Sequence, residues 1–240
     1  AYTIAEGLAM VKAVRDNKRV LQVGSQQRSS EEFQKAIELV RNGAIGHVEK
    51  IYARVGAPPK PLDLPEMFDI AQAAIGMDGS GPVEFTPAGY NGQKYASMKY
   101  ANGIVMTEQP YREDNENAQG IQFIGDKGWL KVARGYIECS DPSLLKAKKK
   151  EVGKGEYEVS SPHMQNFIDC VRSRENPIAP VEVGCSTNTL CCLQNIAREL
   201  GRPVKWNPAT LSFGNDKEAA SHRLYWYQYR NPYSLPYFCK

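Results

Sequence analysis

The sequence lacks most of the features that assign a protein at sight. It has no run of about eighteen apolar residues, so no membrane-spanning helix is expected. It holds only three histidines, His47, His163 and His222, and its six cysteines never form a C-x-x-C pair, which leaves no zinc-ligand spacing. Charge of one sign is missing too. The 30 basic and 27 acidic side chains give a net charge of +3, too small to point to a nucleic-acid partner. There is no G-x-G-x-x-G turn, no Walker A loop and no G-x-S-x-G nucleophile elbow. The opening stretch, AYTIAEGLAMVKAV, has neither a basic start nor a long apolar core, and reads as a helix rather than a signal peptide. What is present is ordinary: 42% apolar and 24% charged residues over 240 positions, enough for one large globular domain or two modest ones.

Helix signals frame both ends of the chain. Thr3 and Glu6 fit a capping box, in which the Thr oxygen and the Glu carboxylate each satisfy a free N–H. Ile4, Leu8, Val11 and Val14 follow at helical spacing, which predicts a helix over 3–17. Residues 19–24 (RVLQVG) read as a short strand. Ser29-Ser30-Glu31-Glu32 offers a second capping box, with Phe33, Ala36, Ile37 and Val40 on one face and Asn42-Gly43 as the stop. Helix, strand, helix in that order suggests parallel α/β architecture.

After Gly46 the texture changes. Residues 47–55 read as a longer strand, APPKPLDLPE breaks all regularity, and 68–75 form a short helical piece ending at GMDGSGP. Two hairpins follow: 94–100 with 104–108 around Asn102-Gly103, and 121–124 with 129–132 around GDKG. Residues 136–139 add a strand. Ser161-Pro162 opens a helix carrying Met164, Phe167, Ile168 and Val171, and a last helix runs over about 186–200, with Gly201 as its stop. The expected fold class is α+β: a short α/β piece, then a domain of antiparallel or mixed sheet with helices, with the boundary near 43–47.

Chemistry-bearing residues are few. Gly24-Ser25-Gln26-Gln27-Arg28 follows the first strand, and ligands of parallel α/β sheets bind beyond the carboxyl ends of strands. Arg28 is placed to fix a hydroxyl or carboxylate through its planar fork; the plainer alternative is a solvent-facing loop in which it pairs with Glu31 or Glu32. Asp63, Glu66 and Asp69 read as capping and solvated carboxylates, and GMDGSG as a plain turn. His163, in the first turn of a helix, is disfavoured as a cation and reads as neutral and structural. His222, beside Arg223, reads as exposed. The basic stretch KAKKK (146–150) is followed by mixed charge and reads as a solvated loop. Adjacent Cys191 and Cys192 on a helix point about 100° apart, so the cysteines read as buried thiols. The tail, YWYQYRNPYSLPYF, holds seven aromatics, which either wrap their own domain or form a subunit contact.

Four stretches together resemble the glucose–fructose oxidoreductase / inositol dehydrogenase (Gfo/Idh/MocA) family. They are AEGLAMVKAVRDNKRVLQVGSQQRSSEEFQKAIELVRNGAIGHV, FDIAQAAIGMDGSGPVEF, HMQNFIDCVRSRENPIAPVEVG, and NIARELGRPVKWNPAT followed by YRNPYSL. The resemblance implies a Rossmann domain followed by an α+β domain whose open sheet forms subunit contacts. On that basis 1–46 is the C-terminal remnant of an NAD(P)-binding Rossmann domain, its last helix-strand-helix, and 47–240 is the substrate and oligomerisation domain. It implies NAD or NADP as cofactor, a sugar or polyol substrate oxidised at a carbinol, and a homo-oligomer built through the open sheet and the aromatic tail. No metal, nucleic acid or membrane enters this picture.

The departures are part of the expectation. In the family the Gly-rich loop and a Glu-Lys-Pro motif with a catalytic Lys precede everything seen here, and this sequence opens where Glu-Lys-Pro would end. The segment leading into F-D-I-A-Q carries a catalytic Asp and His in the family; here PLDLPEM stands before Phe68, with Met67 in place of the His. Only Arg28, with Gln27 beside it, falls on a position lining the family's active site, and no catalytic residue is assigned. The chain alone is expected to be inactive. The alternatives are a non-catalytic sugar-binding or dimerisation module, and an NAD-dependent glycosidase of the same superfamily.

Overall fold

The computed structural model describes residues 1–55, 66–146 and 162–235. Its centre is one mixed sheet of eight strands in the order β7-β6-β5-β1-β4-β3-β2-β8. The strands are β1 (Val48–Arg54), β2 (Pro82–Thr86), β3 (Ser97–Tyr100), β4 (Val105–Thr107), β5 (Gly120–Gly125), β6 (Gly128–Ala133), β7 (Tyr136–Cys139) and β8 (Val204–Lys205). Every neighbouring pair is antiparallel except β1 and β4, which run parallel with Ile51 opposite Met106. This is the expected α+β class.

Period-two alternation sets the two faces apart. Ile51, Phe85, Met98, Met106, Phe123 and Leu130 are buried on one face, while Lys50, Lys99, Lys205 and Glu138 reach solvent on the other. On that outer face Glu84 stands opposite both Lys99 and Lys205, and Lys131 opposite Glu138. Such cross-strand opposite charges each stabilise a little and disfavour a slipped register. The inner face is covered by α2 (Glu31–Arg41), α3 (Glu66–Ala74) and α5 (Val181–Leu200), through Phe33, Phe68, Ile70, Leu190 and Ile196.

Outside that layer, α1 (Ile4–Asp16) packs on α5. Its expected capping box forms: Thr3 Oγ1 accepts from Glu6 N at 3.1 Å, and the Glu6 carboxylate accepts from Thr3 N at 3.3 Å. Gly7 permits the close crossing, since a Cβ there would lie 3.1 Å from Cys185 Sγ. Gly125 has a similar role in the β5–β6 hairpin, where a Cβ would fall 2.3 Å from the Ile45 carbonyl oxygen.

Four local expectations give way to non-local contacts. Residues 19–24 run extended but join no sheet; only Gln22 bridges Pro180, because no described strand lies beside them. The second capping box is absent: Ser30 takes the N-cap position without a side-chain bond, and Ser29 Oγ pairs instead with His163 Nδ1 at 2.8 Å. In α4 (Pro162–Ser173) the buried residues are His163 and Cys170, while Met164 and Val171 are largely exposed. Hydrogen bonds fix that rotation: His163 Nε2 lies 2.9 Å from the Val23 carbonyl oxygen, and Asn166 Oδ1 accepts from Ile178 N at 2.8 Å. Finally, α5 begins at Val181 rather than near Ser186. Ser161, Asp63 and most of KAKKK lie outside the described residues.

As far as it is described, the aromatic tail packs on its own chain. Tyr225 meets Trp206 and Phe213 edge-on, and Tyr227 stacks on Tyr229 with ring centroids 4.6 Å apart. Both Tyr227 and Tyr229 donate to Glu6 Oε1. Burial pushes the Glu6 carboxyl up, but hydrogen bonds from Tyr229, Tyr2, Thr3 and Tyr227 outweigh it and hold the group below 4.5. A depressed carboxyl contributes stability above its unfolded value and loses it as pH falls through the folded one. Tail attachment is therefore expected to be insensitive to pH above 4.5 and to weaken below it. Limited proteolysis of the tail across pH 3–7 reads this, and Glu6→Gln is expected to abolish the acid dependence.

Candidate functional site

A cleft of about 400 Å³ opens where α1, the extended segment at 23–25 and the first half of α5 meet. Val181, Gly184, Cys185 and Asn188 line it from α5 at i, i+3, i+4 and i+7, one helical face. Gly184 is required there, because a Cβ would lie 2.4 Å from Val23 Cγ1. Met10, Val55 and Met67 add apolar wall, and Ser25, Asp69, Gln119, Arg134 and Thr187 add the polar groups. The volume suits a small molecule.

Behind this wall lies a buried ionic network. Arg28 grips Asp69 with Nε on Oδ2 and Nη2 on Oδ1, both at 2.8 Å, and holds Asp78 with Nη2 at 2.6 Å and Nη1 at 3.0 Å. Arg28 is 6% exposed and Asp69 1%. Burial alone would lower the guanidinium pKa, but the bonds to Asp78 and Asp69 raise it, so the cation persists. Thr187 Oγ1 completes the set by donating to Asp69 Oδ1 at 2.9 Å.

The structure thus places the residues singled out in the sequence. Gln27 and Arg28 are both buried, and neither lines the cleft; Arg28 stands one residue behind it, through Asp69. Its partners are Asp69 and Asp78, not Glu31 or Glu32. Asp69 is a buried partner rather than a solvated cap, and GMDGSG is more than a plain turn because Asp78 in it closes the network. His163 is buried between Val23 and Ser29; the carbonyl against Nε2 requires a proton there, and Ser29 Oγ lies 2.8 Å from Nδ1. His222 is not exposed: Nδ1 accepts from Leu224 N and Nε2 lies 3.2 Å from Glu199, with the side chain 12% exposed.

Cys139, Cys170, Cys191 and Cys192 are buried free thiols, and Cys185 borders the cleft. Burial pushes its pKa up to about 11, so it is a thiol at neutral pH and a poor nucleophile. Among the described residues no three His, Cys, Asp or Glu side chains are grouped to hold a metal ion. Gln119 and Thr187 carried no motif in the sequence, and Asn188 left one trace, its helical spacing with Val181, Gly184 and Cys185.

A nicotinamide dinucleotide needs a phosphate seat, and among the described residues one β-rich run enters a helix in the way such a seat requires. That connection, from Gly24 to Glu31, does not fit. Helix α2 opens with Glu31 and Glu32, whose charges repel a phosphate. Three of the N–H groups before it are committed internally, Gln26 to Gly24, Arg28 to Ser25 and Ser30 to Gln27. The cation at this connection, Arg28, is held by two carboxylates.

The sequence matches no family model and no curated protein. The structure has clear relatives. The aldose-aldose oxidoreductase of Caulobacter crescentus, complexed with glycerol, is 18% identical with a TM-score of 0.60, over 85% of this chain and 69% of that one. An oxidoreductase of Agrobacterium radiobacter in complex with NAD+, L-tartaric acid and magnesium is 16% identical with a TM-score of 0.58, over 85% and 70%. The WlbA dehydrogenase of Chromobacterium violaceum, with NADH and UDP-GlcNAcA, is 18% identical with a TM-score of 0.58, over 83% and 66%. These neighbours are all oxidoreductases of one type, and the chain has the fold of the Gfo/Idh/MocA oxidoreductases, as its sequence resemblance implied.

Proposed function

We propose that this chain forms the sugar- or polyol-binding side of an NAD(P)-dependent oxidoreductase and does not transfer a hydride by itself. The observation that carries the reading is the cleft: a few polar side chains in a largely apolar recess, on a fold shared with oxidoreductases crystallised with glycerol, NAD+ and NADH. Asp69, the carboxylate in its wall, has its oxygens committed to Arg28 and Thr187, which leaves it no part as a base.

Two features support reading 1–46 as part of a larger parallel α/β unit. The N–H groups of Val20, Leu21 and Gln22 have no partner among the described residues. They border a groove lined by Ala13, Val14, Leu21 and Phe167, beside the exposed Val171 of α4. An open strand edge next to an apolar surface is what the rest of a parallel sheet would cover. The outer sheet face, with Tyr52, Trp129 and Tyr136 half-buried among its charges, is the surface assigned to self-association; light scattering is expected to give twice the chain mass.

Expressed from its natural gene, the protein is expected to release stoichiometric NAD(P)(H) on denaturation and to reduce the cofactor with a sugar or polyol. No released nucleotide and no cofactor-dependent oxidation across a sugar panel would reject the reading. The 240-residue chain by itself is expected to show neither activity.

A further inference from the structure

We propose that the first half of α5 is a hydroxyl-reading subsite, in which Thr187 and Asn188 present hydrogen-bond acceptors to the cleft and select ligands offering adjacent hydroxyl donors. The proposal rests on the reading of the cleft as a sugar or polyol site and names the residues that make the choice.

The argument is a count of protons. A threonine hydroxyl has one proton, and that of Thr187 goes to Asp69 Oδ1 at 2.9 Å. Both Asp69 oxygens also accept from Arg28, Oδ2 from Nε and Oδ1 from Nη2, so the hydroxyl is the donor in the Thr187–Asp69 pair. Asp78 fixes Arg28 from the other side. The Thr187 rotor is therefore locked, and only its lone pairs are left for a ligand. Arg28 and Asp78 are positioning residues in this scheme.

Asn188 is set in the same sense. It is 5% exposed, and its Nδ2 donates to the Thr3 carbonyl at 3.0 Å, which orients the amide and leaves Oδ1 without a partner among the described residues. Across the cleft Gln119 donates Nε2 to the Val55 carbonyl at 2.9 Å and keeps Oε1 open. The remaining wall is apolar at Met10, Val23, Val55, Met67 and Val181, with Ser25 and Arg134 as further polar side chains. At these three oxygens a ligand hydroxyl donates, whereas a ketone or ether sets oxygen against oxygen.

Cys185, in the same cleft, supplies a readout that needs no turnover. The 240-residue chain is alkylated with iodoacetamide at mildly alkaline pH, and the Cys185 peptide is followed by mass spectrometry in the presence of myo-inositol or of cyclohexanol, which keeps the ring and a single hydroxyl. Myo-inositol is expected to slow alkylation, and cyclohexanol to do so only at far higher concentration. Thr187→Val is expected to raise the half-protecting concentration of myo-inositol about tenfold, and Thr187→Ser, which keeps the hydroxyl, to restore it. Cyclohexanol protection is expected to be the same in all three proteins. If Thr187→Val fails to fold by circular dichroism, Gln119→Leu on the exposed wall is expected to weaken myo-inositol protection in the same direction. No protection by myo-inositol, equal protection by the two ligands, or wild-type protection in the variants overturns the proposal. Absence of NAD(P)(H) from the natural protein would instead count against the oxidoreductase reading and leave these binding results intact.

Discussion

Replacing Arg28 by Met is expected to destabilise the fold by about 3–5 kcal/mol, the usual consequence of leaving a buried carboxylate without its partner. Arg28 and Asp69 are nearly inaccessible, and the guanidinium makes four short bonds to two carboxylates. Removing it strands Asp69 inside α3, while Asp78, 27% exposed, keeps Arg41 at 3.8 Å. Lysine does not substitute, because a single ammonium cannot reproduce the planar fork that meets Asp69 and Asp78 together. Chemical denaturation of Arg28→Met and Arg28→Lys measures the loss; a change in Arg28→Met below about 1 kcal/mol would mean that the pair behaves as a solvent-exposed bridge. The triple replacement Arg28→Met, Asp69→Leu, Asp78→Leu is expected to recover much of the loss, since apolar residues of similar volume often replace a buried ion pair without cost. It would also release the Thr187 rotor, so recovered stability with lost myo-inositol protection is the expected signature.

The parts legible in the sequence are those settled by near neighbours. Thr3 and Glu6 are three residues apart and close their box as read. Asn102-Gly103 turns where the dipeptide requires a positive φ, with Gly103 at +91°. The α2 stop at Asn42-Gly43 and the α5 stop at Gly201 follow from the same local geometry. The failures involve partners far away in the chain. Ser29 left its cap for His163, 134 residues on. Arg28 took Asp69 and Asp78, 41 and 50 residues on, over the adjacent Glu31 and Glu32. The apolar stripe of α4 misled because hydrogen bonds from His163 and Asn166, rather than burial of methyl groups, set the rotation of that helix. The cleft was illegible for the same reason: its walls come from residues near 7, 24, 55, 69, 119 and 187, and no spacing rule joins them.

Tyr100→Phe is expected to act in the opposite sense to most core substitutions and stabilise the fold by about 1–3 kcal/mol, the penalty of an unsatisfied buried polar group. Tyr100 ends β3 with its side chain 0% exposed, and its hydroxyl has no hydrogen-bond partner among the described residues. Burial first, and the negative charge of Asp78 second, push its pKa well above the usual phenol value, so the group is neutral and a buried donor at every accessible pH. Phe keeps the ring and its packing and removes only the stranded oxygen. Asp78 acts on this phenol electrostatically but does not accept its proton, because its two oxygens face Arg28. That sets up a coupling between the two substitutions. With Arg28 replaced by Met, Asp78 is free to turn toward Tyr100, and the hydroxyl gains an acceptor. Tyr100→Phe should then lose its benefit or become destabilising, and the double-mutant cycle should report a coupling energy of about 0.5–3 kcal/mol. Additive effects would place Tyr100 outside the reach of the network, while a destabilising Tyr100→Phe in the wild-type background would identify an ordered water as the missing partner.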